Sequence, residues 1–406
     1  MKVAIISIGD ELLSGFTLNT NSVWMGQELL KSGFTVSNQI TVGDNYKEIR
    51  SVLDQFITSV DVILITGGLG PTHDDITPSV LFDYFDDEPE FDENYWKKIE
   101  SYFKKRKLSV PVINKTQVLK SKKGKMIPNP LGSARGIHYN LQHTSVYAMP
   151  GVPAEMKSMM THYVIPDLSK QSDKKIYVKT MKTTGRGESS IAEKFQPIID
   201  SYSQLCSVAY LPQIAGVDIR ISSTVKNPLV ELEKALKKEL GNCLYGENND
   251  TLESITGMLL TENKVTIAVA ESCTGGLLSH HFTLVPGSSN YMRGAVIAYS
   301  NEIKRDILGV QEKTLAKFGA VSEETALEMA QGIRQKFSST LGISVTGIAG
   351  PTGGSPEKPV GLVFIGYSRK NLNFVKKYLF HGDRNAINHR TTQTAIDIIR
   401  RELIHE

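Results

Sequence analysis

The sequence predicts an α/β protein with a parallel-sheet N-terminal domain, a small α+β middle domain and a second α/β domain at the C-terminal end. Strands and helices alternate over residues 1–86 and again after residue 249, and this order implies parallel strands covered by helices. Polar stretches at 169–175 and 248–251 separate the three parts. We therefore place the domains at 1–168, 169–248 and 249–406.

The elements of the N-terminal domain follow from its hydrophobic pattern. Short β-branched apolar runs predict strands, and amphipathic stretches with a period near 3.6 residues predict helices. The acidic-to-basic stretch 86–107 predicts a solvated helix. The predicted strands are 3–8, 34–42, 62–66 and 146–149, and the predicted helices are 22–31, 47–59 and one that starts near Pro153 and ends near Ile165.

The middle and C-terminal domains are assigned in the same way. Residues 265–270 form an apolar strand, and Ser322 is expected to cap a helix whose first turn carries Glu323 and Glu324. The other predicted elements are strands 176–183, 206–210, 216–224 and 343–345 and helices 188–199 and 228–240.

Composition limits the class of protein. Lys plus Arg number 46 and Asp plus Glu 43, so the net charge of +3 gives no indication of nucleic-acid binding. The three cysteines lack metal-ligand spacing and indicate a reducing compartment. Asp10 and Glu11 interrupt the apolar start, and no apolar run reaches the ~18 residues of a membrane span. We expect a cytoplasmic protein that does not bind membranes.

The stretch VTIAVAESCTGG (265–276) carries the strongest chemical signal. It places Ser272, Cys273 and Thr274 at the end of a buried strand, just before two glycines. Tyr299 and Lys304 follow in AYSNEIK. Ser272 would attack, Lys304 would accept its proton, and Tyr299 would relay the proton or orient the pair, so the hydrolase would need no histidine. In the alternative, a charged Lys304 activates Ser272 and Tyr299 is the base.

Each of these residues also has a purely structural interpretation. Ser272 is suited to capping a helix, Lys304 to an exposed helix face and Tyr299 to the core. Cys273 is intrinsically the better nucleophile, but we interpret it as a small packing residue. Substitution of Ser272 and of Cys273 shows which of the two is the nucleophile: Ser272→Ala should lose activity and Cys273→Ala should keep it.

Three strand-end loops in the N-terminal domain form a second constellation, at residues 9–12, 42–45 and 66–75. Their glycines bring backbone amides close to a phosphate, and Asp44 and Asp75 add carboxylates. The electrostatic repulsion between a carboxylate and a phosphate 4 Å apart is about 4 kcal/mol at an effective dielectric constant of 20. A divalent cation bound between the two groups removes this repulsion. The loops therefore predict a metal-assisted phosphate or pyrophosphate site. Alternatively, the glycines only form turns and the acids only cap helices.

A family resemblance extends these predictions. The motifs IGDELLSG, NTNS, VGDN, TGGLGPTHDDIT, NPLGSARG and MPGVPAEM resemble the CinA (competence/damage-inducible protein) family and its molybdopterin-binding-like fold. That resemblance implies an ADP-ribose pyrophosphatase that forms AMP and ribose 5-phosphate with a divalent cation, Mg²⁺ or a transition metal. It implies metal ligands at Asp44 and Asp75. The implied substrate contacts are Asp10, Gly68, Gly70, Thr72, Gly132 and Ser133.

The C-terminal motifs AVAESCTGG, VPGSSNYMRG, AYSNEIK, GAVSEETALEMA, VTGIAGPTGGSPEKPVGLV and HGDR resemble the CinA C-terminal domain. This resemblance implies hydrolysis of nicotinamide mononucleotide (NMN) to nicotinic acid mononucleotide and ammonia, without a cofactor. It also points to Ser272 as the nucleophile. The candidate contacts to the NMN are Thr274, Gly275, Gly276, Thr346, Gly347, Arg384 and Arg390.

The middle domain, with TTGRGESSIAEKF, resembles the KH-like segment of full-length CinA proteins. Gly185-Arg186-Gly187-Glu188 departs from the GXXG loop of nucleic-acid-binding KH modules, so we do not expect nucleic acid as a partner. A homodimer is implied by the resemblance. Two alternatives stay open: an N-terminal domain that binds a pterin or adenylate without hydrolysis, and a non-catalytic accessory protein of competence or DNA repair.

Overall fold

A computed structural model describes residues 1–105, 107–141, 143–171, 176–214 and 216–404. The chain forms two compact units, which are Met1–Val178 with Ser223–Val225 and Lys179–Ser222 with Lys226–Glu406. The segments predicted as middle and C-terminal domains therefore lie mostly in the second unit. Both units combine helices with mixed sheets, and the predicted α/β class is confirmed.

The first unit contains a six-stranded sheet in the order β2-β1-β3-β8-β7-β6 and a two-stranded ribbon of β4 and β5. Its strands are β1 Lys2–Ile8, β2 Thr35–Val42, β3 Val62–Thr66, β4 Glu90–Phe91, β5 Leu119–Lys120, β6 Lys125–Ile127, β7 Gly136–Asn140 and β8 Ser145–Met149. Its helices are α1 Asp10–Leu13, α2 Thr20–Lys31, α3 Tyr46–Phe56, α4 Thr77–Tyr84, α5 Glu93–Lys105, α6 Pro153–Met159 and α7 Ile165–Gln171.

The large sheet is parallel only in part. Strands β2, β1, β3 and β8 are parallel, as predicted, but β7 and β6 continue the sheet as antiparallel strands. The connection between β7 and β8 is too short for the crossover that parallel neighbours need, so these two strands pair as a hairpin. The central strands β1, β3 and β8 are buried on both faces. The loops that carry the polar motifs follow the carboxyl ends of these strands.

The predicted linker at 169–175 is partly helical. A π-helical turn, Met160–Val164, joins α6 to α7, and α7 continues to Gln171. The rest of that predicted linker, 172–175, lies outside the described residues. In the acidic-to-basic stretch, the helix is shorter than predicted, because a strand at Glu90–Phe91 comes before α5.

The second unit contains two sheets, in the orders β10-β11-β9-β12 and β14-β13-β15-β16-β17. The strands are β9 Tyr177–Thr183, β10 Ser207–Pro212, β11 Val217–Ser223, β12 Leu244–Glu247, β13 Ile267–Glu271, β14 Met292–Ile297, β15 Leu341–Gly347, β16 Leu362–Ser368 and β17 Asn373–Leu379. The helices are α8 Glu188–Asp200, α9 Lys226–Leu240, α10 Leu252–Glu262, α11 Leu277–Thr283, α12 Asn301–Leu308, α13 Glu312–Phe318, α14 Glu323–Lys336 and α15 Arg384–Ile404.

The five-stranded sheet creates a natural binding position. From β13 the chain leads to β14 on one side, and β15 is then added in parallel on the other side of β13. The loops after these three strands therefore meet at one edge of the sheet. Ligands of open α/β sheets bind at such a switch point.

A buried polar cluster fastens the four-stranded sheet to α15 within the second unit. The Asp397 carboxylate accepts hydrogen bonds from Thr184 Oγ1 at 2.9 Å, from Arg400 and from Arg401. The buried Arg400 guanidinium also donates to the carbonyl of Asn242 at 2.7 Å. Because charge-assisted hydrogen bonds are strong and directional, this cluster fixes α15 against the end of β9.

None of the described helices combines the length and apolar character needed to span a bilayer.

The predicted cap of α14 is confirmed, since Ser322 Oγ accepts a hydrogen bond from the Thr325 amide at 3.2 Å. Ser322→Ala leaves that amide without its side-chain acceptor. We expect it to lower the free energy of unfolding of the second unit by about 1 kcal/mol, measured by urea denaturation. The control is Ser189→Ala at an exposed serine of α8. Equal losses in the two variants would contradict the capping role.

Candidate functional site

Ser272 and Lys304 meet at the carboxyl edge of the five-stranded sheet. Ser272 directly follows β13, and its amide donates to the Val345 carbonyl of β15 at 3.0 Å. Lys304 extends from α12, and its Nζ lies 3.3 Å from Ser272 Oγ. The same Nζ donates to the carbonyls of Ala298 at 2.8 Å and Tyr299 at 3.1 Å. The predicted pair is therefore within hydrogen-bonding distance.

The environment of Lys304 disfavours its charge. Lys304 is 1% exposed, so it is not the surface helix residue of the structural interpretation. Burial lowers the pKa of the Lys304 ammonium, since removal from water destabilises the charged form. Among the described residues, no carboxylate forms an ion pair with it. A lysine that is buried without a counter-ion is suited to proton transfer.

Tyr299 contributes in a different way from the one predicted. Its side chain is 63% exposed and not part of the core, and its hydroxyl accepts a hydrogen bond from Arg384 Nη2 at 3.2 Å. Only its backbone carbonyl contacts Lys304. In this geometry the phenol faces the arginine, and the carbonyl positions the lysine amine.

Glu271, which the sequence analysis did not single out, organises the loop after β13. Its fully buried carboxylate accepts hydrogen bonds from Thr274 Oγ1 at 2.7 Å and from the amides of Gly276, Leu278 and Ser279 at 2.8–3.0 Å. It thereby caps α11, so Ser272 is not the cap of the structural interpretation. The only signal in the sequence is an acid at the end of an apolar strand, which has many other uses.

This capping occupies some of the donors that the prediction for Thr274, Gly275 and Gly276 assigned to the substrate. The Gly276 amide and the Thr274 hydroxyl are bound to Glu271, and the Gly275 amide donates to the Ser272 carbonyl at 3.2 Å. Within the described residues, the amides of Cys273 and Thr274 donate to no backbone or side-chain oxygen. These two amides contact the Cys273 thiol and, unlike those of the glycines, have no oxygen as acceptor, so they are the candidate donors beside Ser272.

Cys273 has the properties of a packing residue. It is buried in the apolar core of the second unit, among residues such as Leu278 and Val345. Burial raises the pKa of its thiol to about 12, so the reactive thiolate is disfavoured.

The structure separates the two predicted arginines. Arg384, at the start of α15, donates to the Gly350 carbonyl at 2.7 Å and to the Tyr299 hydroxyl, beside the Lys304 loop. Arg390 donates to the His381 carbonyl and lines a cavity against the four-stranded sheet. Arg384 is therefore the arginine with a contact to the Ser–Lys site.

The strand-end residues of β15 have structural partners. The buried Thr346 hydroxyl donates to the Ala320 carbonyl at 2.7 Å. A Cβ added at Gly347 would lie 2.7 Å from the Leu362 carbonyl oxygen, so this glycine permits close packing against β16. Neither observation gives these two residues a direct contact with Ser272 or Lys304.

The N-terminal loops enclose a cavity of about 380 Å³ with an acidic wall. No Lys, Arg or His lines it among the described residues. The loops after β1 and β3 and the β7–β8 side all contribute, as the prediction from parallel strands requires. The carboxylates in its wall are Glu11, Asp44, Asp74, Asp75 and Glu155.

Asp44 and Asp10 are coupled through reciprocal hydrogen bonds. Asp44 Oδ2 accepts from the Asp10 amide at 3.1 Å, and Asp10 Oδ1 accepts from the Asp44 amide at 3.2 Å. Burial raises the pKa of the Asp44 carboxyl, and the charges of Asp10, Glu11 and Asp74 raise it further against the opposing amide bond. A bound cation would relieve this repulsion. Asp10 itself is exposed and does not line the cavity.

Asp75 holds its own glycine loop together. Oδ1 accepts from the Gly70 amide at 2.7 Å, and Oδ2 accepts from the Thr72 amide at 2.8 Å. Gly68 has φ of 65°, in the left-handed region, and a Cβ there would lie 2.2 Å from Thr77 Oγ1. The acid therefore has a structural role in its loop, but it does not cap α4 as the alternative interpretation would have it, and it still faces the cavity.

The second predicted loop reaches the same cavity. Ser133 lines it and donates to Gln117 Oε1 at 3.0 Å. The Glu155 carboxylate lies against the backbone of Gly132. A Cβ at this position would overlap that carboxylate, so a glycine permits the close approach. Glu155 also accepts from Asn129 Nδ2 at 2.6 Å. Sequence reasoning missed Glu155, which lies in MPGVPAEM but far from the other acids along the chain.

The donor set fits a cation that binds together with a phosphate ligand. In the described part of the chain, no three His, Cys, Asp or Glu side chains converge closely enough to hold a metal alone. Mg²⁺ is usually held by one or two carboxylates together with waters and substrate phosphates. Asp44 and Asp75 are the carboxylates that would hold it.

The fold and these two sites define a multidomain α/β protein with a Ser–Lys pair on one unit and an acidic, glycine-lined cavity on the other. Family comparison divides the chain in the same order. The CinA C-terminal domain matches residues 249–403, the CinA KH domain matches 178–246, and a probable molybdopterin binding domain matches 4–170.

Full-length relatives identify the family. A competence-damage inducible protein of Caldicellulosiruptor bescii is 40% identical over 410 residues, which cover 100% of both chains. A CinA-like protein of Salinibacter ruber is 37% identical, over 99% of this chain and 100% of its own length. The chain belongs to the CinA, or competence-damage inducible, protein family.

The chain is also similar, over about two fifths of its length, to solved structures. A competence/damage inducible protein of Agrobacterium tumefaciens is 36% identical, with a TM-score of 0.35, over 38% of this chain and 97% of its own. The protein CinA of Thermoplasma acidophilum is 27% identical, with a TM-score of 0.38, over 41% of this chain and 97% of its own.

The role of Glu271 generates a prediction. Glu271→Gln replaces one carboxylate oxygen with an NH₂ group that cannot accept from the α11 amides. We expect the free energy of unfolding of the second unit to fall by about 1–3 kcal/mol, measured by urea denaturation. Glu262→Gln, at an exposed position of α10, is the control. An unchanged denaturation midpoint for Glu271→Gln would show that the loop does not depend on this carboxylate.

Proposed function

We propose that the second unit hydrolyses the carboxamide of NMN to nicotinic acid mononucleotide and ammonia. The observation that carries this proposal is the 3.3 Å contact between Lys304 Nζ and Ser272 Oγ, made by a lysine that is 1% exposed. Amide hydrolysis needs a nucleophile, a base and donors for the developing oxyanion. The site contains a candidate for each.

The neighbours of Lys304 support a neutral amine. A neutral amine has two N–H donors and one lone pair, and Lys304 Nζ has two carbonyl acceptors and one hydroxyl around it. The two N–H groups would donate to Ala298 and Tyr299, which leaves the lone pair for the Ser272 hydroxyl proton. An ammonium would fit the same three contacts but would be buried without a counter-ion.

The reaction then proceeds by proton transfer between the two side chains. Ser272 Oγ bonds to the carboxamide carbon while its proton moves to Lys304 Nζ, and the C–N bond breaks as that proton is returned to the departing ammonia. Water then repeats the sequence on the acyl-serine to release the acid. The amides of Cys273 and Thr274 are the candidate oxyanion donors.

Arg384 and the Tyr299 hydroxyl would bind the other end of the substrate. A guanidinium makes bidentate contacts to phosphate, and Arg384 is near the site while Arg390 is not. We therefore assign the NMN phosphate to Arg384. Tyr299 serves in this assignment as a binding residue, and Lys304 is the base.

We infer a second activity for the first unit, the hydrolysis of ADP-ribose to AMP and ribose 5-phosphate. The observation that favours it is the five-carboxylate wall without a basic residue among the described lining, facing a glycine-rich loop. A divalent cation held by Asp44 and Asp75 would polarise the phosphoryl oxygen and offset the repulsion of the pyrophosphate. The backbone amides of the glycine loop would bind phosphate oxygens.

The Ser–Lys proposal is tested by ammonia release from NMN. Ser272→Ala is expected to lower kcat by about 10³-fold or more, and Lys304→Ala by about 10²–10⁴-fold, since each removes a reacting group. Cys273→Ala is the matched control and should keep most of the activity. Equal rates for wild type and Lys304→Ala would remove the lysine from the mechanism, and loss only in Cys273→Ala would reassign the nucleophile. No ammonia from the wild type would favour an accessory protein without this activity.

The acidic cavity is tested with ADP-ribose, with and without added Mg²⁺ or Mn²⁺. Asp44→Asn is expected to lower metal-dependent AMP formation by about 10²-fold, the order typical for one electrostatic contact to a transition state. Glu100→Gln, at an exposed position of α5, is the charge-matched control. AMP formation that is independent of metal would contradict the assignment. Binding of ADP-ribose without turnover would favour the pterin- or adenylate-binding alternative.

A further inference from the structure

A large cavity of the second unit is distinct from the Ser–Lys site. It has a volume of about 630 Å³, within the range of about 300–1,000 Å³ that is typical of small-molecule sites. One wall is formed by the 184–188 loop and residues 212–214, 216 and 217, and the other by β17, the residue after it and one face of α15. Two features that the proposed reactions do not use, the Gly185-Arg186-Gly187 loop and Arg390, lie in this cavity.

Positive charge dominates the cavity. Arg186, Lys376, Arg390 and Arg401 line it, against the two carboxylates of Glu188 and Asp397. Asp397 is already bound to Arg400, Arg401 and Thr184, so it does not neutralise the remaining cations.

The cations nearest the loop are available to a ligand. In the described residues, Arg186 makes no hydrogen bond or ion pair, and Arg390 uses only one contact, to the His381 carbonyl at 2.9 Å. Arg186 is carried between Gly185, whose φ is 77°, and Gly187, at which an added Cβ would meet open space. The backbone there is exposed, and no side chain caps the α8 N-terminus that follows.

The opposite wall adds a flat apolar surface. The rings of Tyr378 and Phe380 stack with their centroids 5.4 Å apart and an angle of 5° between their planes. Both side chains are half-buried and line the same cavity as the arginines. Aromatic side chains of this kind stack on nucleobases, while guanidinium groups bind phosphates.

We propose that this cavity is a binding site for a mononucleotide, with its phosphate held by Arg186 and Arg390 and its base placed against Tyr378. A single strand of nucleic acid is the less favoured occupant, because β17 and α15 close the side opposite the glycine loop and the volume suits one nucleotide. The proposal concerns binding alone and does not require either proposed reaction.

The site shares a helix with the Ser–Lys site. Arg384 begins α15, and Arg390, Asp397 and Arg401 lie further along the same helix. The experiment must therefore remove any phosphate binding by Arg384, and we use Arg384→Ala as the parent protein. EDTA removes divalent cations, so that the acidic cavity of the first unit repels phosphate.

The test is isothermal titration calorimetry of the full chain with AMP, adenosine and inorganic phosphate. AMP is expected to bind the parent more tightly than either fragment. Arg186→Glu, and separately Arg186→Ala with Arg390→Ala, should weaken AMP binding by about tenfold to a hundredfold, as expected for lost charge-assisted contacts. Lys313→Ala with Lys370→Ala, both exposed positions of the same unit, is the charge-matched control and should not change the affinity.

Arg186→Glu is expected to fold like the parent, because in the described structure Arg186 makes no hydrogen bond or ion pair that the substitution would remove. A loss of AMP binding in this variant therefore reports on the site and not on folding. Unchanged AMP affinity in this variant, or absence of AMP binding to the parent, would overturn the proposal. An oligoadenylate that binds the parent more tightly than AMP, and loses that binding in Arg186→Glu, would overturn the mononucleotide assignment in favour of a nucleic acid.

Discussion

The burial of the Lys304 amine between two backbone carbonyls and one serine hydroxyl is the constraint on which the second site depends. Water would solvate the ammonium and separate it from Ser272. The fold shields the amine from water, because Nζ contacts residues that directly follow β13 and β14 and Lys304 is 1% exposed. The result is an amine whose charged form is disfavoured beside the hydroxyl that it is proposed to deprotonate.

The Ser272–Lys304 pair also needs a fixed position for the serine, and Glu271 provides it. A charged side chain inside a core is costly unless its hydrogen bonds are satisfied, and this carboxylate accepts four. Two of these bonds hold the loop between β13 and α11, and the other two hold the first turn of α11. The acid therefore fixes the segment that directly follows Ser272, and Ser272 itself is the next residue after Glu271 in the chain.

The fold and part of the site could be predicted from the sequence. Apolar periodicity located β1, β2, β3 and β8 of the first unit and β9, β10, β11, β13 and β15 of the second, since burial of β-branched runs is a local property of the chain. The other strands were not predicted. The antiparallel edge of the first sheet was not predicted, because it depends on how short the β7–β8 connection is. The residue types at the end of β13 and in AYSNEIK suggested the pairing of Ser272 with Lys304, and the resemblance pointed to Ser272 as the nucleophile. The geometry brings the two side chains together.

The unpredicted residues share a physical cause. Glu271, Glu11, Asp74 and Glu155 act through hydrogen bonds and charges whose partners are set by tertiary structure, and acids at strand ends are common in sequences. For Arg390, the spacing after the HGDR motif does not specify which face of α15 carries the side chain, so the sequence left both arginines as candidates. Direction along a helix changes by about 100° per residue, so a small offset separates two sites.

The pKa of Lys304 tests the central claim most directly. It can be measured by ¹⁵N NMR of the lysine Nζ in the folded chain, with assignment by comparison with Lys304→Ala. Because burial disfavours the ammonium, the folded chain releases this proton at a lower pH than the unfolded chain, and stability rises with pH between the two values. The account predicts a midpoint clearly below the ordinary lysine value of 10.5. A midpoint at or above that value would contradict it, because the amine beside Ser272 would then be a charged group in contact with water or an acid.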